Sequence, residues 1–308
     1  MNTQQIHEWA SARTMRSAVI GLEVLSAVRD RFDRLRADGL LDPKFFKDNL
    51  SELNYLDGCG INEPRSLILL ASPRPAHIVT FRLRETVLRT ILPPTYVDYR
   101  PFFERVREVF LSDLEVSAFN VNLLNAPLKS LAAAAGLIRY GRNNIGYVPG
   151  WGSYFQLVGL VTDYPLASDP GPRRIEDQVL DACRDCELCR RACPTAAISE
   201  RFLLRAERCY TLFSESLEWD TPVPPLPRQN CLAGCLKCQT VCPENRGLLK
   251  RENTGLIFTQ AETEAMLHDP DELESGLWQE IRSKLAALGL SFDAKLLARN
   301  FRVLIKRK

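Results

Sequence analysis

Histidine is scarce in this chain: His7, His77 and His268 are scattered over 308 residues, so no local histidine cluster offers a metal site. There is no Gly-x-Gly-x-x-Gly, no Gly-x4-Gly-Lys-Ser/Thr and no Gly-x-Ser-x-Gly. Those gaps argue against a conventional dinucleotide site, a P-loop and a serine hydrolase elbow. The longest apolar run, around Leu131 to Leu137, falls far short of the roughly 20 residues a bilayer-spanning helix needs. A net charge of +2 exerts no global pull on nucleic acid or membrane. Met1-Asn2-Thr3-Gln4-Gln5 lacks the basic and then apolar profile of a secretory signal. The expectation is a soluble, cytoplasmic protein with no membrane partner. No tandem repeat of solenoid period is present.

Cysteine is what the chain has in plenty. Nine of its ten cysteines lie between Cys183 and Cys242. In a non-exported protein they read as metal ligands rather than disulfides. The order is Cys183-x2-Cys186-x2-Cys189-x3-Cys193-Pro194, then Cys209 and Cys231, then Cys235-x2-Cys238-x3-Cys242-Pro243. The first run is the bacterial ferredoxin spacing: three thiolates hold one [4Fe–4S] cube, and the fourth crosses to another. Zinc prefers separated Cys-x2-Cys pairs closing a tetrahedron, which this order does not provide. Spacing therefore predicts one cluster on Cys183, Cys186, Cys189 and Cys242. The other takes Cys193, Cys235 and Cys238 plus either Cys209 or Cys231, because Leu232 stands where a full second copy would have cysteine. Cys59, alone in Asp57-Gly58-Cys59-Gly60, reads as a small buried or loop thiol.

Apolar spacing from Met15 to Leu35 predicts an amphipathic helix ended by Asp38-Gly39. Leu67 to Ala71 reads as a buried strand with His77 to Phe81 as its neighbour, and Val116 to Val121 and Phe155 to Val161 read as further strands. Pro101 to Phe110 and Pro127 to Leu137 read as helices. Tyr140 to Ser153 is a loop dense in turn formers. These alternations predict an α/β (α+β) layered core over 1–178, a ferredoxin-like module over 179–249 and a helical tail over 250–308. Within the module, Thr221 to Pro227 is a Pro-rich insertion; in the tail, Leu277, Ile281, Leu285 and Leu288 form one helical stripe and Leu297, Phe301 and Leu304 another. Arg299, Arg302, Lys306, Arg307 and Lys308 read as a solvated basic end, with RNA contact as the alternative.

From roughly residue 90 to 250 the chain resembles the epoxyqueuosine reductases, iron–sulfur and cobalamin enzymes that reduce a tRNA-bound epoxide. Ala135-Gly136-Leu137 with Gly141-Arg142-Asn143 resembles that family's Ala-Gly-Leu…Gly-Lys-Asn/His stretch. Gly152-Ser153-Tyr154-Phe155 resembles its Gly-Ser-aromatic strand, Arg208-Cys209-Tyr210 its Arg-Cys-Ile, and Gly234 to Asn245 its second cysteine run. The resemblance implies a nitroreductase-like core, two [4Fe–4S] clusters with Cys209 as a ligand and Cys231 spare, and a cobalamin near Gly141, Arg142, Gly152 and Ser153. It also implies tRNA as a partner and an external electron donor such as ferredoxin or flavodoxin. The family's proton-donating aspartate meets Asn122 in ungapped alignment, or Leu124 when Ala126-Pro127 is aligned. Its Asp-Tyr-His appears as Asp98-Tyr99-Arg100, and about 58 residues follow the cluster module where longer members carry a helical region for tRNA. Candidates for a replacement donor are a tyrosine beside a basic residue, Tyr99 with Arg100 or Tyr140 with Arg139 or Arg142, since a cation lowers a phenol's pKa. The expected activity is reductive, on a substrate the sequence does not name; the alternative is a corrinoid-free electron-transfer protein.

Overall fold

The computed structural model describes all residues except 54, 115–118, 171–173, 176–177, 200–201, 220–230, 269–274, 291–293 and 306–308. Two compact units divide the chain. The first comprises Met1–Pro73, Arg100–Glu187 and Ile198–Arg205; the second comprises Arg74–Tyr99, Leu188–Ala197 and Ala206–Lys308. This division runs differently from the linear boundaries expected at 178 and 249. The Pro-rich stretch from Thr221 and the start of the strand expected from Val116 lie outside the described residues.

The first unit holds α1 (Thr3–Ala12), β1 (Arg16–Gly21), α2 (Glu23–Ala37), the short turn α3 (Pro43–Phe45) and β2 (Ser66–Pro73). After the excursion into the second unit come α4 (Tyr99–Asp113), β5 (Val121–Leu123), α5 (Leu128–Ala134), the small hairpin β6 (Arg139–Tyr140) and β7 (Gly146–Tyr147), and β8 (Phe155–Thr162). Four strands form an antiparallel sheet in the order β1-β2-β8-β5. Side chains alternate along a strand, and here both faces are covered. Leu67, Leu69 and Ala71 join Val24, Leu25 and Leu131 on the α2 and α5 side. Ile68 and Leu70 join Trp9, Phe102, Val106 and Phe110 on the α1 and α4 side. Hence β2 is apolar at nearly every position.

The helix expected from Met15 to Leu35 is a strand followed by a helix. Residues 16–21 pair with 66–71, burying Ala18, Val19 and Ile20 on the two sides of the sheet, and only from Glu23 does the chain turn helical. Apolar residues on both faces of a strand imitate helical spacing over so short a window. Gly39, at φ +65°, closes α2, whose C-cap is Asp38. The Asn2 capping box that starts α1 was not read from the polar N-terminal segment.

The second unit contains β3 (Ala76–Leu83), β4 (Thr86–Leu92), α6 (Leu188–Ala192), α7 (Tyr210–Glu215), α8 (Lys237–Thr240), β9 (Arg251–Phe258), α9 (Gln260–Ala265), α10 (Ser275–Ala286) and α11 (Ala294–Ile305). His77 to Phe81 is a strand as expected, but β3 does not neighbour β2. It lies between β4, antiparallel, and β9, parallel. The tail is likewise not wholly helical, because β9 precedes its helices. Phe81 stacks on Phe258 at 4.8 Å and meets Phe301 at 4.9 Å, and with Ile281, Leu285 and Leu297 they make the core of this unit. Arg299, expected in a solvated end, stacks over Phe213 at 4.0 Å and donates to the Ser216 carbonyl at 3.2 Å. It packs the tail rather than serving as a free cation. Arg302 donates to the Leu267 carbonyl, and 306–308 lie outside the described residues. Among the described residues no helix is long and apolar enough to cross a membrane.

Candidate iron–sulfur site

Within the second unit five cysteine thiols crowd together. Cys238, in α8, is pushed well above the ordinary thiol range, first by burial and then by Cys235, Cys209, Cys189 and Cys193. Short elements achieve this: α6, which carries Cys189 and leads to Cys193, packs against α8, and Cys209 caps α7. Crowded, desolvated thiols are costly as free anions and become stable when iron supplies the opposite charge. Burial also raises Cys209, with Cys193 and Glu215 adding to it and hydrogen bonds from Thr211 opposing. The Ala197 N–H donates to the Cys193 sulfur at 3.3 Å. Donors of this kind favour sulfur in its anionic, iron-holding form.

Cys231 has a different setting. It is 2% exposed, bridges to Ile91 of β4, and is pushed up to about 12, chiefly by burial and then by Cys235. Cys209 and Cys193 both raise the Cys238 thiol, and Cys231 and Cys209 both act on the Tyr96 hydroxyl. Gly234, before Cys235, is at φ +71°, and a Cβ there would collide with the Tyr96 hydroxyl. Its N–H donates to Ser214 Oγ at 2.8 Å. Only glycine lets the chain pass beneath Tyr96 into the second cysteine run. Tyr96 in turn donates its hydroxyl to the Glu215 carboxylate. Among the described residues no three His, Cys, Asp or Glu side chains gather as for a single ion. A cubane differs from such a site in taking its thiolates on four separate irons.

Cys183 and Cys186 belong to the first unit. The turn bearing Cys183 is held by Arg142, whose Nη2 donates to the carbonyls of Cys183 at 2.9 Å and Arg184 at 2.8 Å while the guanidinium stacks over Phe202. Arg139 pairs with Asp181 at 3.1 Å. Both arginines proposed as partners for Tyr140 are therefore engaged elsewhere. Tyr140 is 7% exposed, and its hydroxyl meets Ser130 Oγ at 3.2 Å. Its pKa is raised, because burial outweighs the lowering by Ser130 and by Arg31, so the net lowering expected from a neighbouring arginine is reversed. Tyr99 is 49% exposed and Arg100 is exposed.

The residues expected around a corrinoid are packed by protein. A Cβ on Gly141 would lie 2.5 Å from a ring carbon of Tyr147, so the glycine is filled from within rather than left as a cradle. Gly152, at φ +61°, closes a tight turn bridging Val148, and Ser153 is buried. Neither position aligned with the family's acid supplies one. Asn122 donates to the Cys59 carbonyl at 2.8 Å and accepts from Arg107 at 3.1 Å, and Leu124 is core. The sequence reading missed Lys129, whose Nζ donates to the Asn144 carbonyl at 2.6 Å and sits 5.4 Å from the centre of the Tyr140 ring. Burial, then Arg31, lowers its pKa to about 8. A lone cation in the otherwise uncharged Leu128–Ala134 helix was the available signal.

Residues 182–245 match the 4Fe-4S double cluster binding domain family. Curated relatives include the epoxyqueuosine reductase of Salmonella typhimurium, 32% identical over 51% of this chain and 38% of that protein. The epoxyqueuosine reductase of Pseudomonas aeruginosa is 29% identical over 63% of this chain and 50% of that protein. The matched stretch thus spans half or less of those relatives' own length. The solved epoxyqueuosine reductase of Streptococcus thermophilus superposes with a TM-score of 0.69 at 18% identity, covering 99% of this chain and 81% of that one. A second, solved with an epoxyqueuosine-modified tRNA stem loop, gives 0.66 at 18%, covering 98% and 80%. Such low identity speaks to fold alone. The chain is similar to epoxyqueuosine reductases in sequence over about half its length and in fold over nearly all of it, and its residues 182–245 form a double [4Fe–4S] cluster domain.

Proposed function

We propose that this chain is an iron–sulfur reductase of the epoxyqueuosine reductase type, taking single electrons at its double-cluster domain and passing them to a reducible substrate on a nitroreductase-like core. The observation that carries the proposal is the crowding of Cys193, Cys209, Cys235 and Cys189 around Cys238 inside the matched domain. Soft thiolates are the donor set that iron–sulfur clusters require. Cys193, Cys209, Cys235 and Cys238 would hold one cluster, and Cys183, Cys186, Cys189 and Cys242 the other. Bound clusters supply one-electron chemistry at potentials set by charge, exposure and hydrogen bonds to sulfur. The chain's own contribution is then specific. The N–H of Ala197 and the bonds from Thr211 stabilise anionic sulfur at Cys193 and Cys209. Arg142 fixes the backbone that presents Cys183. An RNA-borne epoxide is the substrate class the resemblance implies.

The corrinoid that the resemblance also implies does not fit Gly141, Arg142, Gly152 and Ser153, which are occupied as described, and no step is assigned to it. That packing, with Asn122 and Leu124 where an acid is expected, favours a second reading: a corrinoid-free relay that hands electrons to a partner. The deciding experiment is anaerobic reconstitution with iron, sulfide and cobalamin, followed by EPR and addition of epoxide-bearing tRNA. Reoxidation of the reduced clusters by that RNA supports the reductase. A cob(II)alamin signal would overturn the assignment of no corrinoid. Intact clusters with neither response leave the relay.

A further inference from the structure

From the surface beside the cluster cysteines we infer an electron entry point: the α6–α8 face of the second unit docks a small, acidic, one-electron carrier protein. This rests on the iron–sulfur assignment above. Large apolar side chains exposed among the described residues are few, and two of them adjoin cysteines of the module. Leu188, 46% exposed, precedes Cys189 at the start of α6, and Val241, 37% exposed, precedes Cys242 at the end of α8. The two helices pack on each other. An aliphatic side chain held in water on a short, rigid element gains free energy when a partner covers it.

Charge identifies the partner. Residues 188–197 and 237–251 contain Arg190, Arg191, Lys237, Arg246, Lys250 and Arg251 against Glu244 alone, a balance of +5 in a chain whose total is +2. Arg191, Arg246, Lys250 and Arg251 are exposed. Cationic residues that flank these exposed aliphatic side chains along the chain steer an acidic protein towards them, while the aliphatic contact excludes water. Electron tunnelling falls steeply with distance, so the useful docking place is one that reaches cluster thiolates through a single layer of side chains. RNA is the other polyanion such a charge excess could attract, but exposed aliphatic residues offer it nothing to stack on. The transfer balances simply: the carrier loses one electron, the module gains it, and no bond or proton changes.

The test uses the reconstituted full chain and a reduced acidic [2Fe–2S] ferredoxin as the probe. Stopped-flow bleaching gives the second-order rate, and biolayer interferometry with oxidised ferredoxin gives Kd. The wild-type rate should fall steeply with added salt. Arg246→Glu combined with Lys250→Glu should lower the low-salt rate about tenfold, with the difference vanishing near 0.5 M salt. Leu188→Asp combined with Val241→Asp should weaken Kd by about tenfold at every salt concentration. Reduction by dithionite and iron content should stay at wild-type levels in both variants. The docking proposal is overturned if dithionite reduces the wild type but ferredoxin does not. It is equally overturned if ferredoxin's rate ignores both variants and salt, or if the charge reversals weaken only retention of a tRNA probe. Failure of dithionite to reduce the wild type would instead strike the iron–sulfur assignment itself.

Discussion

Replacing Lys129 by methionine should stabilise the protein at neutral pH and cease to do so in alkali. Burial and Arg31 bring the Lys129 pKa from 10.5 to about 8, so the folded protein holds this proton less tightly than the unfolded chain does. Below about pH 8 both states are charged and the folded state carries the whole penalty. Between about pH 8 and 10.5 the unfolded chain binds the extra proton, so wild-type stability rises with pH, by at most ~1.4 kcal/mol per unit. With a discount for the partly exposed side chain, the penalty at pH 7 is ~2 kcal/mol. Methionine also forfeits the bond to Asn144 and the contact with Tyr140, together about 1 kcal/mol. Lys129→Met should therefore be about 1 kcal/mol more stable than wild type at pH 7 and about 1 kcal/mol less stable near pH 10.5. Urea unfolding of the anaerobic, cluster-loaded protein at several pH values measures the swing. An equal difference at pH 7 and pH 10 would refute the idea that a penalised charge is held against the Asn144 carbonyl.

Further predictions concern the ligands and their support. Cys209→Ser should lose about half of the bound iron, whereas Cys231→Ser should keep it; equal iron in the two variants would contradict the ligand set. Arg142→Ala should remove both bonds to the turn bearing Cys183, costing about 2–3 kcal/mol in urea unfolding and quickening iron loss to a chelator. Unchanged loss would make Arg142 irrelevant to the turn. Phe301→Ala should cost about 3–5 kcal/mol, since its fully buried ring meets Phe81 in the core of the second unit; a thermal midpoint near wild type would deny that role.

Local chemistry was the part most visible in the chain itself. The cysteine spacings carry their meaning within a dozen residues, and apolar runs such as Leu67–Ala71 and Phe155–Val161 are buried strands because both faces of the sheet are covered. What escaped depends on distant partners. Arg251–Phe258 has mixed polarity and becomes a strand only by lying parallel to β3, more than 160 residues earlier. Residues 16–21 are drawn out of a helical pattern by backbone pairing with 66–71. Arg142 looked like a cofactor residue beside Gly141, but its reach to the Cys183 carbonyl is a contact across 41 positions. Tyr140 was judged by its sequence neighbours, while its pKa is set by burial and by Ser130. Lys129 went unnoticed because a single lysine in a helix is ordinarily solvated, and only the fold shows where its ammonium lies.

The central claim is that the cysteines of residues 182–245 hold two cubanes. Iron and acid-labile sulfide analysis of anaerobically reconstituted protein, read together with EPR after dithionite reduction, tests it most directly. The account predicts roughly eight irons and eight sulfides per chain and the spectrum of two neighbouring reduced [4Fe–4S] clusters. Stoichiometric zinc without labile sulfide would contradict it.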